Sequence, residues 1–345
     1  MRFLKLLGIL ALLLVAAGAG LYAWVTSYLA SLVPIEQPVV FMVEQGSNLR
    51  TVARELHSRG VIEHPRLWVW VARAHGQASR IHAGEYEVRP GATPATVLRQ
   101  LVDGTVVLRE LTVVEGSTYR DLRRALEQHR SVRKTLTGVA DEELMERLGA
   151  PGEHPEGRFF PDTYRFAAGT TDFEILRQAH AQMKARLELA WKNRAADLPI
   201  DTPDEALTLA SIVEKETGLE SERPQVAGVF VRRLRLGMRL QSDPTVIYGL
   251  GEAYAGNIRR KHLRGDTPYN TYTRAGLPPT PIALPGEEAL RAATRPDDTG
   301  AIYFVATGEP DGSHFFSATL SEHNAAVRRF LARMRQRNSQ APRQQ

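Results

Sequence analysis

Residues 6–25 run without a single charged side chain, and at about 1.5 Å of rise per residue a helix of that length crosses a hydrocarbon core of roughly 30 Å. No other feature constrains the chain as strongly, because so long an apolar helix needs lipid around it. Arg2 and Lys5 precede the run and the next Lys or Arg is Arg50. The positive-inside rule then leaves the N-terminus in the cytoplasm and exports residues 34–345. The expectation is a single-pass protein of the inner (cytoplasmic) membrane with a periplasmic bulk, and with Tyr22, Trp24 and Tyr28 as an aromatic belt at the far face. A cleaved signal peptide is the competing reading, since Ala16-Ala17-Gly18-Ala19 offers small residues to a peptidase. The run is longer than a signal h-region of roughly 7 to 15 residues, which favours a retained span.

The rest of the 345 residues is globular in composition, 43% apolar and 24% charged, and is long enough for about two domains. The formal charge of +5 does not describe the fold. Arg2, Lys5 and the arginines after Glu322 (Arg328, Arg329, Arg333, Arg335, Arg337 and Arg343) outweigh it, so the body between is net acidic and no nucleic-acid partner is expected. With no cysteine, disulfides, thiol nucleophiles and thiolate metal sites are excluded. The ten histidines form no HExxH or HxH pair, so no metal site is expected.

After a linker at residues 34–37, residues 39–43 (VVFMV) read as a strand. Ser47 is placed to cap a helix bearing Leu49, Val52, Ala53 and Leu56 and closed by Gly60. An amphipathic stretch at 64–74 and a returning strand at 83–88 complete a β-α-α-β order, which resembles the LysM-like module of cell-wall proteins. The opening recurs: residues 43–56 (VEQGSNLRTVAREL) match 113–126 (VVEGSTYRDLRRAL) at Gly46/Gly116, Ser47/Ser117, Arg50/Arg120 and Leu56/Leu126. Duplication and convergence on a common strand-turn-helix solution both account for this. Further on, a polar helical zone is expected at 131–149, a loop at 155–164, helices at 172–193 (capped by Thr171 or Asp172) and 204–218, and then loop-rich chain to about Phe316 with a strand at 301–305. Residues 331–345 read as a basic, disordered tail.

The helix LTLASIVEKETG (207–218) carries the most chemistry. At about 100° per residue Glu216 falls between Ile212 and Val213, near Leu209, whereas Glu214 projects nearer Leu207 and Ala210. Desolvation on that stripe raises a carboxyl pKa, which a general acid at a glycosidic oxygen needs. The two glutamates diverge and form no ready acid/base dyad; a solvated charged face is the plainer reading of EKE. Residues 239–249 and 267–272 are polar, aromatic and turn-like, suited to stacking on sugar rings and bonding their hydroxyls, or simply turns. GLPPTPI (276–282) and LPG (284–286) are stiff loops.

Together, LASIVEKET (209–217), VFVRRLRLGMRLQSDPTVIYGLG (229–251), TPYNTYTRAGLPPTPIALPG (267–286), EGRFFPDTYRF (156–166) and SHFFSATLSEHN (313–324) closely resemble the endolytic murein transglycosylase, or YceG-like, family. The resemblance implies an α+β fold: a transmembrane helix within residues 1–33, a LysM-like glycan-binding module at 34–104 and a mixed α/β catalytic domain with a cleft at 105–330. It implies a lytic transglycosylase that cuts the β-1,4 bond between N-acetylmuramic acid and N-acetylglucosamine of nascent peptidoglycan, leaving 1,6-anhydro ends. Glu216 would serve as acid and then base, Gln241, Ser242, Asp243, Tyr248, Asn270 and Tyr272 would line the cleft, and no cofactor would be needed. Peptidoglycan synthases are the implied partners. The competing readings are a non-catalytic wall-binding scaffold and a hydrolase with Asp243 or Glu156 as second carboxylate.

Overall fold

The computed structural model describes residues 2–340. Helix α1 (Arg2–Ala30) is followed by β1 (Val39–Val43), α2 (Leu49–Ser58), α3 (Pro65–Ala74), β2 (Gly84–Val88), α4 (Pro94–Asp103) and β3 (Leu108–Thr112). The chain divides into two compact units, Met1–Arg109 with Arg165–Thr170, and Glu110–Tyr164 with Thr171–Gln345.

In the first unit, strands β1 and β2 pair antiparallel with Phe41 opposite Tyr86. Alternation sends Phe41, Val43, Tyr86 and Val88 inward, while Val40 and Met42 stay exposed. Against this face lie Leu49, Val52, Ala53 and Leu56 of α2, Trp68, Val69 and Ala72 of α3, and Val97, Leu98 and Leu101 of α4. The expected β-α-α-β order is present; the sequence pattern gives no sign of α4, which is closed by Thr93 and Thr96 in a capping box and by left-handed Gly104. The helix cap is one residue later than expected: Asn48, not Ser47, accepts from Thr51 N at 3.1 Å. Asn48 has the extended backbone a cap requires (φ −90°, ψ 153°). Within α1, Lys5–Ala30 is long and apolar enough to cross a membrane, and none of its most apolar stretch is covered by protein. Its last turns are held by protein: Tyr28 is buried and its hydroxyl accepts from His64 N at 3.3 Å.

The second unit holds α5 (Tyr119–Gln128), α6 (Asp141–Arg147), the start of β4 (Thr163–Ala167), α7 (Asp172–Lys192), α8 (Pro203–Glu216), α9 (Arg223–Arg235), α10 (Asp243–Leu250), α11 (Arg260–Arg264), α12 (Glu287–Thr294), β5 (Tyr303–Ala306), β6 (His314–Ser317) and α13 (Leu320–Gln340). Strand β3 pairs with β4, and β5 with β6 antiparallel. The second copy of the sequence repeat thus also lies in a β-α-α-β stretch. The two repeat turns share their chemistry: Gly46 and Gly116 have φ of 82° and 77°, and Ser47 N and Ser117 N bond the carbonyls of Glu44 and Val114. Thr118, like Asn48, is the cap.

The core of this unit is α8, buried at every position from Ala206 to Val213 and packed against α7, α9, α10 and α12. A helix apolar all round belongs in an interior. The region expected to be loop-rich contains α9, α10 and α12, whose residues Val226, Phe230, Tyr248 and Leu290 pack in or against this core. The polar zone at 131–149 yields only the seven residues of α6. The expected tail also departs from the sequence reading: α13 continues to Gln340, and residues 341–345 lie outside the described residues. Gly157 has a φ of +82°, and a Cβ there would lie 2.5 Å from Pro281 Cβ. Gly157→Ala is therefore expected to destabilise the protein by about 2 kcal/mol or more through strain and overpacking, read as a lowered unfolding midpoint.

Candidate active site

The EKE sequence at the end of α8 does not form a solvated face. Glu214 is enclosed, its side chain 4% exposed, and accepts from Arg223 Nη2 at 2.9 Å. Its other oxygen accepts from Gly286 N, also at 2.9 Å, so it holds the backbone at the start of α12. Lys215 Nζ donates to Gly116 O at 3.0 Å. Glu216, half-buried, turns a third way and accepts from Ser242 Oγ at 2.5 Å. No cation pairs with it among the described residues. Burial, reinforced by the Asp243 charge and opposed by the Ser242 hydrogen bond and by Arg233, pushes its carboxyl up to about 7.

Ser242 and Asp243 are placed by the local sequence. Ser242 precedes α10 with extended backbone and Pro244 occupies its first turn, where a missing N–H is harmless. The Ser-Asp-Pro segment read as a turn is thus a helix start. Ser242 N donates to Thr271 Oγ1 at 3.0 Å, and Thr245 Oγ1 donates to Ser242 O at 2.7 Å. Asp243 is exposed, and its Oδ1 accepts from Tyr272 OH at 2.6 Å. Glu216, Ser242, Asp243 and Tyr272 therefore form one hydrogen-bonded and electrostatically coupled group.

The other expected cleft residues are placed differently. Asn270 is fully buried; its Nδ2 donates to the carbonyls of His262, Leu263 and Gly265 and its Oδ1 accepts from Tyr272 N. Its amide closes the end of α11 and orients Tyr272, with no polar atom left over. Tyr248 donates its hydroxyl to Glu156 Oε2 at 3.1 Å and packs edge-on against Tyr269 at 4.9 Å. Gln241 has an exposed side chain and a φ of +53°, the only non-glycine in the left-handed region among the described residues. Strain of this kind persists only where neighbours enforce it; here Gln241 N donates to Thr271 O at 3.1 Å.

Three residues with large roles are not singled out in the sequence reading. Arg233, buried, donates to the carbonyls of Ile302 and Leu240 at 2.7 Å each and lies 5.4 Å from the Tyr303 ring. Arg223 binds Glu214, and Thr271 joins the backbone before α10 to the turn carrying Tyr272. An arginine inside an apolar helical stripe, as in VFVRRLRL, was the available clue for Arg233. Glu156, the alternative second carboxylate, is 3% exposed, accepts from Tyr119 N at 2.9 Å and is also pushed up to about 7 by burial.

A half-buried carboxyl, protonated near neutrality and flanked by an exposed carboxylate, is suited to giving a proton to a weakly basic oxygen. Comparison with known proteins identifies the family. The YceG-like family matches residues 41–329. An endolytic murein transglycosylase of Bacillus subtilis (strain 168) is 30% identical over 307 residues, covering 84% of this chain and 84% of that protein. One from Streptococcus pneumoniae (strain ATCC BAA-255 / R6) is 27% identical over 348 residues, covering 90% of this chain and 62% of the relative, so the chain spans less than two thirds of that protein. The crystal structure of a YceG-like protein from Listeria monocytogenes has a TM-score of 0.54 at 26% identity, covering 84% of this chain and 99% of that one. The family match over most of the chain, together with the Bacillus relative, places this protein in the YceG-like family.

Proposed function

We propose that the chain is a lytic transglycosylase, anchored in the inner membrane by α1, that cleaves the β-1,4 bond between N-acetylmuramic acid and N-acetylglucosamine in nascent peptidoglycan. Its relatives in Bacillus and Streptococcus are named endolytic murein transglycosylases. The observation that carries the reading is the Glu216 carboxyl, held protonated near neutrality and bonded, among the described residues, to Ser242 alone.

Ser242 occupies Oε1, which directs the carboxyl proton to Oε2. Glu216 gives that proton to the glycosidic oxygen as the C1–O bond breaks. The muramic acid 6-hydroxyl attacks C1 and its proton passes to the Glu216 carboxylate, which restores the acid without consuming water. Asp243, oriented by Tyr272, places a negative charge beside the developing oxocarbenium ion. Gln241, with its exposed side chain, and Tyr272 contact the glycan in the cleft. Residues 34–104 act as a LysM-like module that holds the strand, and 105–330 as the catalytic domain. The bulk of the chain lies in the periplasm near the synthases that extrude new strands.

Mass spectrometry of glycan ends tests the reading. Full-length protein incubated with peptidoglycan is expected to leave 1,6-anhydro ends. New reducing ends would instead favour a hydrolase with Asp243 as the second carboxylate, and sacculus binding without cleavage would favour a scaffold. Because Glu216 must start protonated, activity is expected to fall as pH rises through about 7. Asp243 raises that pKa, so Asp243→Asn is expected to move the alkaline limb of the kcat profile to lower pH; an unmoved limb would count against Glu216 as the titrating acid.

A further inference from the structure

Helix α3 begins where α1 is seated: the rings of Trp24 and Tyr28 lie 5.4 and 5.1 Å from that of His64, the residue immediately before α3. Beside this point α2 and α3 pack together, and their outward faces leave a groove of about 780 Å³ lined by Arg50 and Arg54 of α2, and by Pro65, Arg66, Trp70 and Arg73 of α3. Spacings of three and four residues put each helix's contribution on one face. No carboxylate pairs with these four arginines among the described residues, and Glu55 on α2 is turned to Arg59 at 2.8 Å. Trp70 is 62% exposed, although Trp68 two residues away is fully buried. Four unneutralised guanidinium groups around an exposed indole form a surface for anions that also have an apolar boundary.

We propose that this groove seats the phosphate headgroups of anionic lipids in the leaflet from which α1 emerges; the proposal rests on reading α1 as a membrane span. Guanidinium forks match phosphate oxygens, and an indole settles at headgroup level. Each arginine near an anionic surface is worth about fivefold in local affinity at low salt. The connection of the groove-forming α3 to the end of α1 favours lipid over a free anion, because the leaflet is already at hand.

The test uses the full chain in lipid nanodiscs. Trp70 is isolated as the difference in emission between wild type and Trp70→Phe, with bromine placed either on phosphatidylglycerol or, in discs lacking it, on phosphatidylcholine. The expected result is loss of the Trp70 signal with brominated phosphatidylglycerol, and its return at high salt and on joint replacement of Arg50, Arg54, Arg66 and Arg73 by glutamine. Equal quenching in phosphatidylcholine discs, or no quenching of Trp70 while Trp24 is quenched, would overturn the groove proposal alone. An unquenched Trp24 would overturn the span reading and the proposal with it. Soluble poly(glycerol phosphate) that restores Trp70 emission would assign the groove to a wall polymer and overturn the lipid assignment.

Discussion

Glu216→Gln is expected to lower kcat on peptidoglycan strands by about a thousandfold, the magnitude associated with losing a general acid, while raising stability at alkaline pH. The two effects share one cause. Burial holds the carboxyl up to about 7, against 4.5 when freely exposed, so the native state resists ionisation. Below about pH 4.5 the group is protonated in both states and costs nothing. Between about pH 4.5 and 7 the unfolded state ionises while the native state resists, so the cost grows across that window and levels off above 7 at about 3 kcal/mol. Glutamine keeps an acceptor for Ser242 Oγ and carries no charge, so the cost disappears. Turnover and thermal unfolding at pH 5 and pH 8.5 check both: activity lost at both values, with the unfolding midpoint raised far more at the higher. A variant that lost activity and stability together would assign Glu216 a structural role.

Arg223→Met is expected to cost about 3 kcal/mol, at the lower end of the range for removing one partner of a buried ion pair. Arg223 and the Glu214 side chain are 7% and 4% exposed, so neither water nor another described cation replaces the guanidinium. Burial already holds the Glu214 carboxyl above its ordinary range, and protonation limits the loss. The unfolding midpoint should fall by roughly 10 °C. The double change Glu214→Gln with Arg223→Met should cost less than the sum of the singles, because the unpaired charge is gone. Strict additivity would show that the pair is not coupled.

Much of this architecture was legible where local pattern and tertiary environment agree. The strand at 39–43, the spacing of Leu49, Val52, Ala53 and Leu56, and a cap at Thr171 or Asp172 were each readable because local pattern and buried face coincide. The helices α9, α10 and α12 were hidden for physical reasons. In α9 the buried Arg233 interrupts an apolar run and finds its partners in the carbonyls of Ile302 and Leu240, outside its own helix. In α10 the Pro and Gly of SDPTVIYGL read as a turn, although proline suits a first helical turn. At the site, helical angle pointed to a distinct environment for Glu216, but nothing local showed that Ser242 would be its partner. Asn270 misled for a related reason: a polar side chain in a turn can serve a ligand or close a helix, and only the positions of His262, Leu263 and Gly265 decide between them.

The end of α8 has a consequence for how this protein can vary. Three consecutive side chains there grip three separate pieces of chain: Glu214 the entry to α12, Lys215 the Gly116 turn, and Glu216 the entry to α10. Substituting any one releases one grip. Adding or deleting a single residue between Val213 and Glu216 rotates the downstream side chains by about 100° and misdirects every grip beyond the change. This segment can therefore tolerate changes of letter far more readily than changes of length, and its spacing is as much a part of the site as its carboxylates.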